Sequence, residues 1–115
     1  EILGEMVGRG ILTQITAGSL TGMFGREAHR AALMFLERGW GHIIASDAHS
    51  AHGRIPVLSA AAGVVSEHMG QDAADLLVRE NPRRIIDGRE IIPLEPRKPS
   101  FRNRLLSKFF RRKAN

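Results

Sequence analysis

The sequence predicts an α/β fold in which parallel strands pack against helices that lie outside the sheet. Three observations favour this class. Short β-branched and apolar runs occupy residues 11–16 and 42–45, a stretch with one apolar helical face separates them, and two further helical stretches follow. Strands that alternate with helices indicate a parallel sheet, because a crossover must carry the chain back to the same end of the sheet.

The first half of the chain contains one helix between two strands. Residues 1–10 are predicted to end a helix, since apolar residues recur there at helical spacing before a glycine. Residues 11–16 (ILTQIT) are predicted to form a strand, and the following AGSLTGMFG a glycine-rich loop. A helix is predicted over residues 26–38, with alanines, Phe35 and Leu36 on its apolar face, and Gly39 ends it.

The second half begins with a strand and continues with helices. Residues 42–45 (HIIA) are predicted to be a buried strand, and SDAHSAHGR the loop at its carboxyl end. One helix is predicted over residues 56–69, with Pro56 in its first turn, and another over residues 71–80, ended by Asn81-Pro82. A turn of helix in PRRII and a short extended piece in EIIPL complete the predicted elements.

Charge divides the chain into a body and a tail. Residues 1–95 contain 9 basic and 12 acidic side chains, whereas residues 96–115 contain 8 basic and no acidic ones. The net charge of +5 therefore comes from the tail, and it does not indicate a nucleic-acid-binding body. Within the tail, residues 100–113 carry Leu and Phe at i,i+4 among six cations, a pattern typical of a short helix on an anionic membrane surface. The alternative to a membrane-bound helix is a solvated tail, and nucleic-acid binding is a weaker third interpretation.

Composition excludes several classes of protein. The chain has no cysteine, which excludes a disulfide scaffold, a thiol nucleophile and a cysteine-ligated zinc site. No run of about 18 apolar residues is present, so no membrane-spanning helix is predicted. The chain begins with Glu1 and shows no signal-peptide pattern, and two strands alone leave a parallel sheet uncovered. We therefore expect that it begins part-way through a longer protein, with more strands before Glu1.

A candidate site lies in the loop after the second predicted strand. Asp47 and His49 are two residues apart, so on extended backbone their side chains would point to one side, as half of a metal site. Arg54 follows in a glycine-containing loop and could hold a phosphate or carboxylate through two hydrogen bonds, and His52 is near enough to join. By spacing alone, the alternatives are an Asp that caps the loop, a solvated His and an Arg in a surface ion pair.

Other hydroxyl and imidazole side chains are predicted to be structural. Ser19 and Thr21 are expected to cap the next helix, His29 and His68 to lie on helices, and His42 to pack in the second strand. The glycines of AGSLTGMFG match no phosphate-loop spacing.

Four motifs in order carry a resemblance to a known family. They are QITAGSLTGMFG, HIIASDAHS, an Arg five residues beyond the His, and NPRRIIDGREI, and together they cover residues 1–92. The sequence resembles the C-terminal half of manganese-dependent protein-tyrosine phosphatases of capsule and exopolysaccharide operons, the CpsB type of the polymerase-and-histidinol-phosphatase (PHP) family. The resemblance implies that residues 1–95 are the C-terminal portion of a distorted β/α barrel, followed by the basic tail of residues 96–115.

The resemblance also implies roles for individual residues. Asp47 and His49 would be ligands of a metal cluster, usually manganese, although zinc and iron accept the same ligands. Arg54 would help to hold the phosphate. The family's other ligands include a His-x-His motif, which the chain lacks, so we expect residues 1–115 alone to be inactive.

The resemblance further implies a partner and a place in the cell. The substrate would be phosphotyrosine on a protein, namely a capsule-assembly tyrosine kinase, and the enzyme would be cytoplasmic, at the inner face of the membrane. Two alternatives stay open from the sequence: another PHP phosphoesterase such as a histidinol-phosphate phosphatase, and a non-catalytic binding module that uses the basic tail.

Overall fold

The computed structural model describes residues 1–98, in which helices pack against a small parallel sheet. In chain order the elements are α1 (Ile2–Gly8), β1 (Gln14–Thr16), α2 (Ala17–Leu20), α3 (Arg26–Glu37), β2 (Ile43–Ala45), α4 (Ser59–Met69), α5 (Gln71–Asp75), a π-helical segment (Leu76–Glu80) and α6 (Asn81–Ile86). The predicted tail lies outside the described residues from position 99 onward. Within residues 1–98, no helix is both long and apolar enough to cross a bilayer.

The two strands confirm the predicted parallel sheet. Ile15 of β1 lies opposite Ile44 of β2, and both side chains are buried. Both strands are shorter than predicted, and His42 precedes β2 instead of lying within it. Gly41 packs closely beside them, because a Cβ there would lie 2.7 Å from Cδ1 of Ile15 and that side chain would have to shift. The predicted α/β class therefore holds for the part of the chain that the structure describes.

The core lies between the sheet and the helices. Its largest fully buried apolar side chains come from four different helical segments: Leu20, Leu36, Val65 and Leu77. The predicted apolar face of α3 is confirmed in part, since Ala32 and Leu36 are buried while Phe35 is only partly covered. Burial of such side chains contributes roughly 1.5–3 kcal/mol each, so the core holds the ends of β1 and β2 in place.

Two predicted boundaries are wrong around the ends of the strands. The stretch predicted as a loop after β1 contains one helical turn, α2, because Ala17 and Leu20 gain burial there. Neither Ser19 nor Thr21 caps α3, whose N-cap is Gly25 with φ +90°; Thr21 is instead the C-cap residue of α2. The helix predicted from Pro56 begins at Ser59, which lengthens the loop after β2 to residues 46–58.

The predicted helix break at Asn81-Pro82 is also wrong. Helical backbone continues from α5 through the π-helical segment into α6, and Pro82 falls in the first turn of α6, where a missing N–H costs little. Asn81 is fully buried; its Nδ2 donates to the carbonyls of His42 (2.9 Å) and Ile92 (2.8 Å), and its Oδ1 accepts from the Ile92 N–H (2.8 Å). These hydrogen bonds hold the EIIPL segment, which forms no strand.

Three histidines lie outside the candidate site, and His29 and His68 lie on α3 and α4 as predicted. His29 Nδ1 lies 3.3 Å from the carbonyl of Ser19, and His68 Nε2 lies 2.9 Å from Oε1 of Glu37. His42 is buried just before β2, where its Nδ1 accepts the N–H of Thr13 at 2.9 Å. Burial lowers the pKa of His42 below its ordinary value of 6.5.

We expect His42 to make the folded protein less stable in mild acid. Because its folded pKa is lowered, the unfolded chain binds more protons below about pH 6.5, so the free energy of unfolding falls as the pH falls through and below that value. His42→Asn keeps an acceptor for the Thr13 N–H but cannot titrate. Urea unfolding of the full-length protein between pH 7.5 and 5 should therefore show a shallower pH dependence for the variant, and equal slopes would contradict the assignment.

Candidate active site

The candidate residues lie where both parallel strands end. Thr16 of β1 and Ala45 of β2 are partners in the register, and the chain leaves them into α2 and into the loop of residues 46–58 respectively. The carboxyl edge of a parallel sheet is where α/β folds place their ligand sites. The structure therefore brings α2 and the loop that carries Asp47, His49 and Arg54 to the expected edge.

Asp47 does not have the extended backbone that the sequence predicted. Its φ is +53°, and it is the one non-glycine residue among positions 1–98 with positive φ. Asp tolerates this left-handed conformation better than most residues, yet it still stores strain of order 1 kcal/mol. Asp47 and His49 are thus brought together by a turn, and their common direction does not come from strand alternation.

Two side chains, those of His49 and Arg54, contact the backbone carbonyl of Asp47. Nδ1 of His49 lies 2.6 Å from the carbonyl oxygen of Asp47, and Nη1 of Arg54 lies 3.4 Å from the same atom. The loop is closed by a hydrogen bond from the N–H of His49 to the carbonyl of Arg54 (3.0 Å) and by one from the N–H of Gly53 to Oγ of Ser50 (2.8 Å). The contact of Asp47, His49 and Arg54, predicted from the sequence only as a shared loop, is therefore present in the structure.

Arg54 forms an ion pair with Asp47. Its Nη1 lies 2.5 Å from Oδ2, and the two side chains are 32% and 45% exposed respectively. At this exposure an ion pair contributes little to stability, about 0–1 kcal/mol, because water screens it. The surface ion pair weighed as the alternative for Arg54 is thus observed, and its partner is the candidate metal ligand itself.

An aromatic platform beneath Arg54 was not foreseen from the sequence. The guanidinium carbon lies 5.1 Å from the ring centroid of Phe24, within cation–π range. Gly18 in α2 makes room for this ring, because a Cβ at that position would lie 2.7 Å from Cε2 of Phe24. The signal available in the sequence was the three glycines of AGSLTGMFG, whose spacing matches no phosphate loop.

The donor chemistry of the cluster fits a divalent metal. Nδ1 of His49 lies 2.6 Å from the carbonyl oxygen of Asp47 and 3.4 Å from Nη1 of Arg54; in the tautomer with its proton on Nδ1, the ring donates to that carbonyl and Nε2 has a lone pair for a metal ion. Metal-binding histidines are commonly oriented in this way, with the other ring nitrogen donating to a carbonyl. Oδ1 of Asp47 stays outside the ion pair that holds Oδ2. Asp47 and His49 can therefore each offer one atom to a metal ion.

The described residues provide two such ligands and no third. His52 is exposed and joins no group of metal-ligating side chains; within residues 1–98 there is no cluster of three or more His, Asp or Glu. Catalytic metal sites usually take three protein ligands or more. The expectation that His52 would join the site is not met by this arrangement.

A family model matches most of the chain. It is described as capsular polysaccharide synthesis, CpsB/CapC, and it matches residues 1–87, which include every residue of the cluster.

Relatives from three bacteria are similar over different lengths. YwqE of Bacillus subtilis, a tyrosine-protein phosphatase, is 31% identical over 109 residues, which are 95% of this chain and 42% of YwqE. CpsB of Streptococcus pneumoniae, also a tyrosine-protein phosphatase, is 32% identical over 87 residues, covering 71% of this chain and 36% of CpsB. CapC of Staphylococcus aureus is 43% identical over 54 residues, 47% of this chain and 21% of CapC. The chain thus spans less than half the length of each.

A solved structure shares the fold. It belongs to the crystal structures of YwqE and CpsB, described as unique metal-dependent tyrosine phosphatases, and it superposes with a TM-score of 0.76 at 29% identity. The match covers 86% of this chain and 40% of that one. The helices and the small parallel sheet of residues 1–98 thus correspond to part of that fold.

Proposed function

This chain belongs to the CpsB/CapC family of capsular polysaccharide synthesis, and from that premise we propose that the protein containing it hydrolyses phosphotyrosine on proteins by a metal-dependent reaction. YwqE and CpsB are named tyrosine-protein phosphatases, and their structures are described as metal-dependent. The chain spans about two fifths of those proteins, so the complete site would need residues besides those of this chain.

The cluster of Asp47, His49 and Arg54 at the carboxyl edge of the sheet is the observation that carries the proposal. It combines two metal-binding atoms with a planar cation, which are the groups that phosphate-ester hydrolysis needs. The chain contains no cysteine, so the covalent route through a cysteine thiolate has no nucleophile here.

Each side chain has a distinct task in this proposal. Asp47 and His49 would hold the metal, and when bound the ion supplies Lewis-acid stabilisation of the phosphoryl oxygens. Arg54 would exchange part of its contact with Oδ2 of Asp47 for the phosphoryl oxygens, with its guanidinium supported by the ring of Phe24. Because the ion pair is exposed, breaking part of it costs little free energy.

We propose manganese as the metal and a distorted β/α barrel of the PHP type as the complete domain. Carboxylate and imidazole suit manganese, zinc and iron alike, so the donor set of Asp47 and His49 is compatible with manganese without selecting it. The parallel pairing of β1 with β2, with helices packed against them, is compatible with one segment of such a barrel.

The proposed partner is a phosphorylated capsule-assembly tyrosine kinase, and the proposed location is the cytoplasm at the inner face of the membrane. Both proposals rest on the resemblance that the sequence motifs of residues 1–92 carry. The membrane contact assigned to residues 100–113 lies outside the described residues, so it stays a prediction from the sequence.

Hydrolysis by the full-length protein, purified with its metal, tests the proposal. We expect release of phosphate from a phosphotyrosine peptide, loss of that activity with a chelator, and recovery when Mn²⁺ is restored. A phosphoserine peptide of the same sequence is the matched control and should be hydrolysed much more slowly. Turnover that persists at full rate after the metal has been removed and shown to be absent would contradict the mechanism.

A further inference from the structure

We propose that a cavity beside Arg54 receives the aromatic ring of phosphotyrosine; this inference rests on the proposed function and adds the place where the ring binds. The cavity, here called the aryl cavity, has a volume of about 200 Å³ and lies between α2, the turn after it, the loop of residues 46–58 and the start of α4. Ser46, Gly53 and Arg54 line one side, so the aryl cavity adjoins the cluster described above.

The floor of the aryl cavity is formed by small buried residues. Ala17 and Gly18 of α2 and Ala61 of α4 are all buried and leave space where larger side chains would fill it. An apolar cavity of about 150 Å³ can bind benzene, so a volume of about 200 Å³ is sufficient for a phenyl ring. The size and the apolar floor thus match the side chain of tyrosine.

The mouth of the aryl cavity exposes large apolar side chains to water. Met23, Ile55 and Val57 line the cavity and are 62%, 46% and 50% exposed. Exposed apolar side chains gathered around one opening mark a binding site, because a ligand that covers them removes apolar surface from water. The thioether of Met23 is also well suited to an aromatic ring, with which sulfur makes favourable contacts.

Arg54 connects the aryl cavity to the phosphoryl site. Arg54 lines the cavity, and its Nη1 lies 2.5 Å from Oδ2 of Asp47. A phosphate attached to a ring inside the aryl cavity would therefore emerge beside Arg54, Asp47 and His49. A phosphoserine side chain has no ring and would leave the apolar floor and mouth uncovered, so the aryl cavity would favour aryl phosphates.

The substitution Ala60→Leu tests this assignment. Ala60 lines the aryl cavity but is exposed in the first turn of α4, so a leucine can enter the cavity without displacing the buried core. Ser59→Leu is the matched control, because it adds the same side chain at the neighbouring exposed position of α4 that does not line the cavity. Both variants are made in the full-length protein, and circular dichroism checks that they fold.

The measurements are the KM for a phosphotyrosine peptide and the inhibition constant of inorganic phosphate. With Ala60→Leu we expect the KM to rise at least about fivefold, the inhibition constant to stay within about twofold, and Ser59→Leu to match the wild type. An unchanged KM in Ala60→Leu, or a parallel rise of both constants, would overturn the aryl cavity as the ring site. Wild-type protein that binds phosphate but does not hydrolyse the peptide would instead overturn the proposed function.

Discussion

Replacing Asp47 by Asn, or His49 by Ala, in the full-length protein is expected to reduce hydrolysis of a phosphotyrosine peptide to background. Each change removes one of the two side chains that we propose as metal ligands, and Asp47→Asn also removes the charge that pairs with Arg54. The loss should reach at least about 10³-fold in kcat/KM, or about 4 kcal/mol of transition-state stabilisation. Metal content, measured on the same samples, should fall with the activity.

The backbone of Asp47 makes Asn the most informative replacement at this position. Asn tolerates the φ of +53° as Asp does, so Asp47→Asn changes the charge and the ligand without adding backbone strain. His52→Ala serves as the control, since His52 is exposed in the same loop and joins no metal-binding group within residues 1–98. An Asp47 or His49 variant with wild-type turnover and wild-type metal content would show that the assignment of ligands is wrong.

Arg54→Lys is expected to lower kcat/KM for the phosphotyrosine peptide by about tenfold or more. Lysine keeps the positive charge but loses the planar pair of donors that a phosphoryl group accepts, and the loss corresponds to about 1.4 kcal/mol. Lysine would also lose the contact of the guanidinium with Phe24, whose ring centroid lies 5.1 Å from the guanidinium carbon. Arg54→Ala should reduce kcat/KM further, because it removes the charge as well.

The distinction between a phosphate-binding and a purely structural Arg54 lies in the inhibition constant of inorganic phosphate. A weaker inhibition by phosphate in Arg54→Lys, together with an unchanged unfolding midpoint, would show that Arg54 contacts the phosphoryl group. Arg83→Lys is the control, because Arg83 forms an exposed ion pair with Asp87 on α6, away from the cluster. Full activity in Arg54→Ala would identify Arg54 as a surface cation paired with Asp47.

Local patterns in the sequence were sufficient to predict the main helices and strands. The alternation of apolar strands with an amphipathic helix predicted β1, α3 and β2 in the right order, and parallel pairing follows from the crossover. The same reasoning placed Asp47, His49 and Arg54 in one loop after β2, because the sequence alone indicates where the strand ends and where a glycine-containing stretch follows. Their roles were implied by the resemblance to the phosphatase family, and they stay predictions.

The predicted ends of helices and loops were wrong where contacts between distant residues outweighed local conformational preference. The break predicted at Asn81-Pro82 does not occur, because Asn81 is buried and hydrogen-bonded to His42 and Ile92, both remote in sequence. Burial also explains α2, where Leu20 in the core favours a helical turn over the loop that three glycines and two hydroxyl residues indicate.

By itself, the sequence determined which chemical groups the site can use: a carboxylate, an imidazole and a guanidinium after a strand, with no thiol. Only the tertiary structure decided how those groups meet. The left-handed turn at Asp47, the ion pair with Arg54 and the ring of Phe24 seated against Gly18 depend on packing between α2 and the loop after β2. Such packing depends on distances between residues far apart in the chain, whereas periodicity and spacing report only on neighbours.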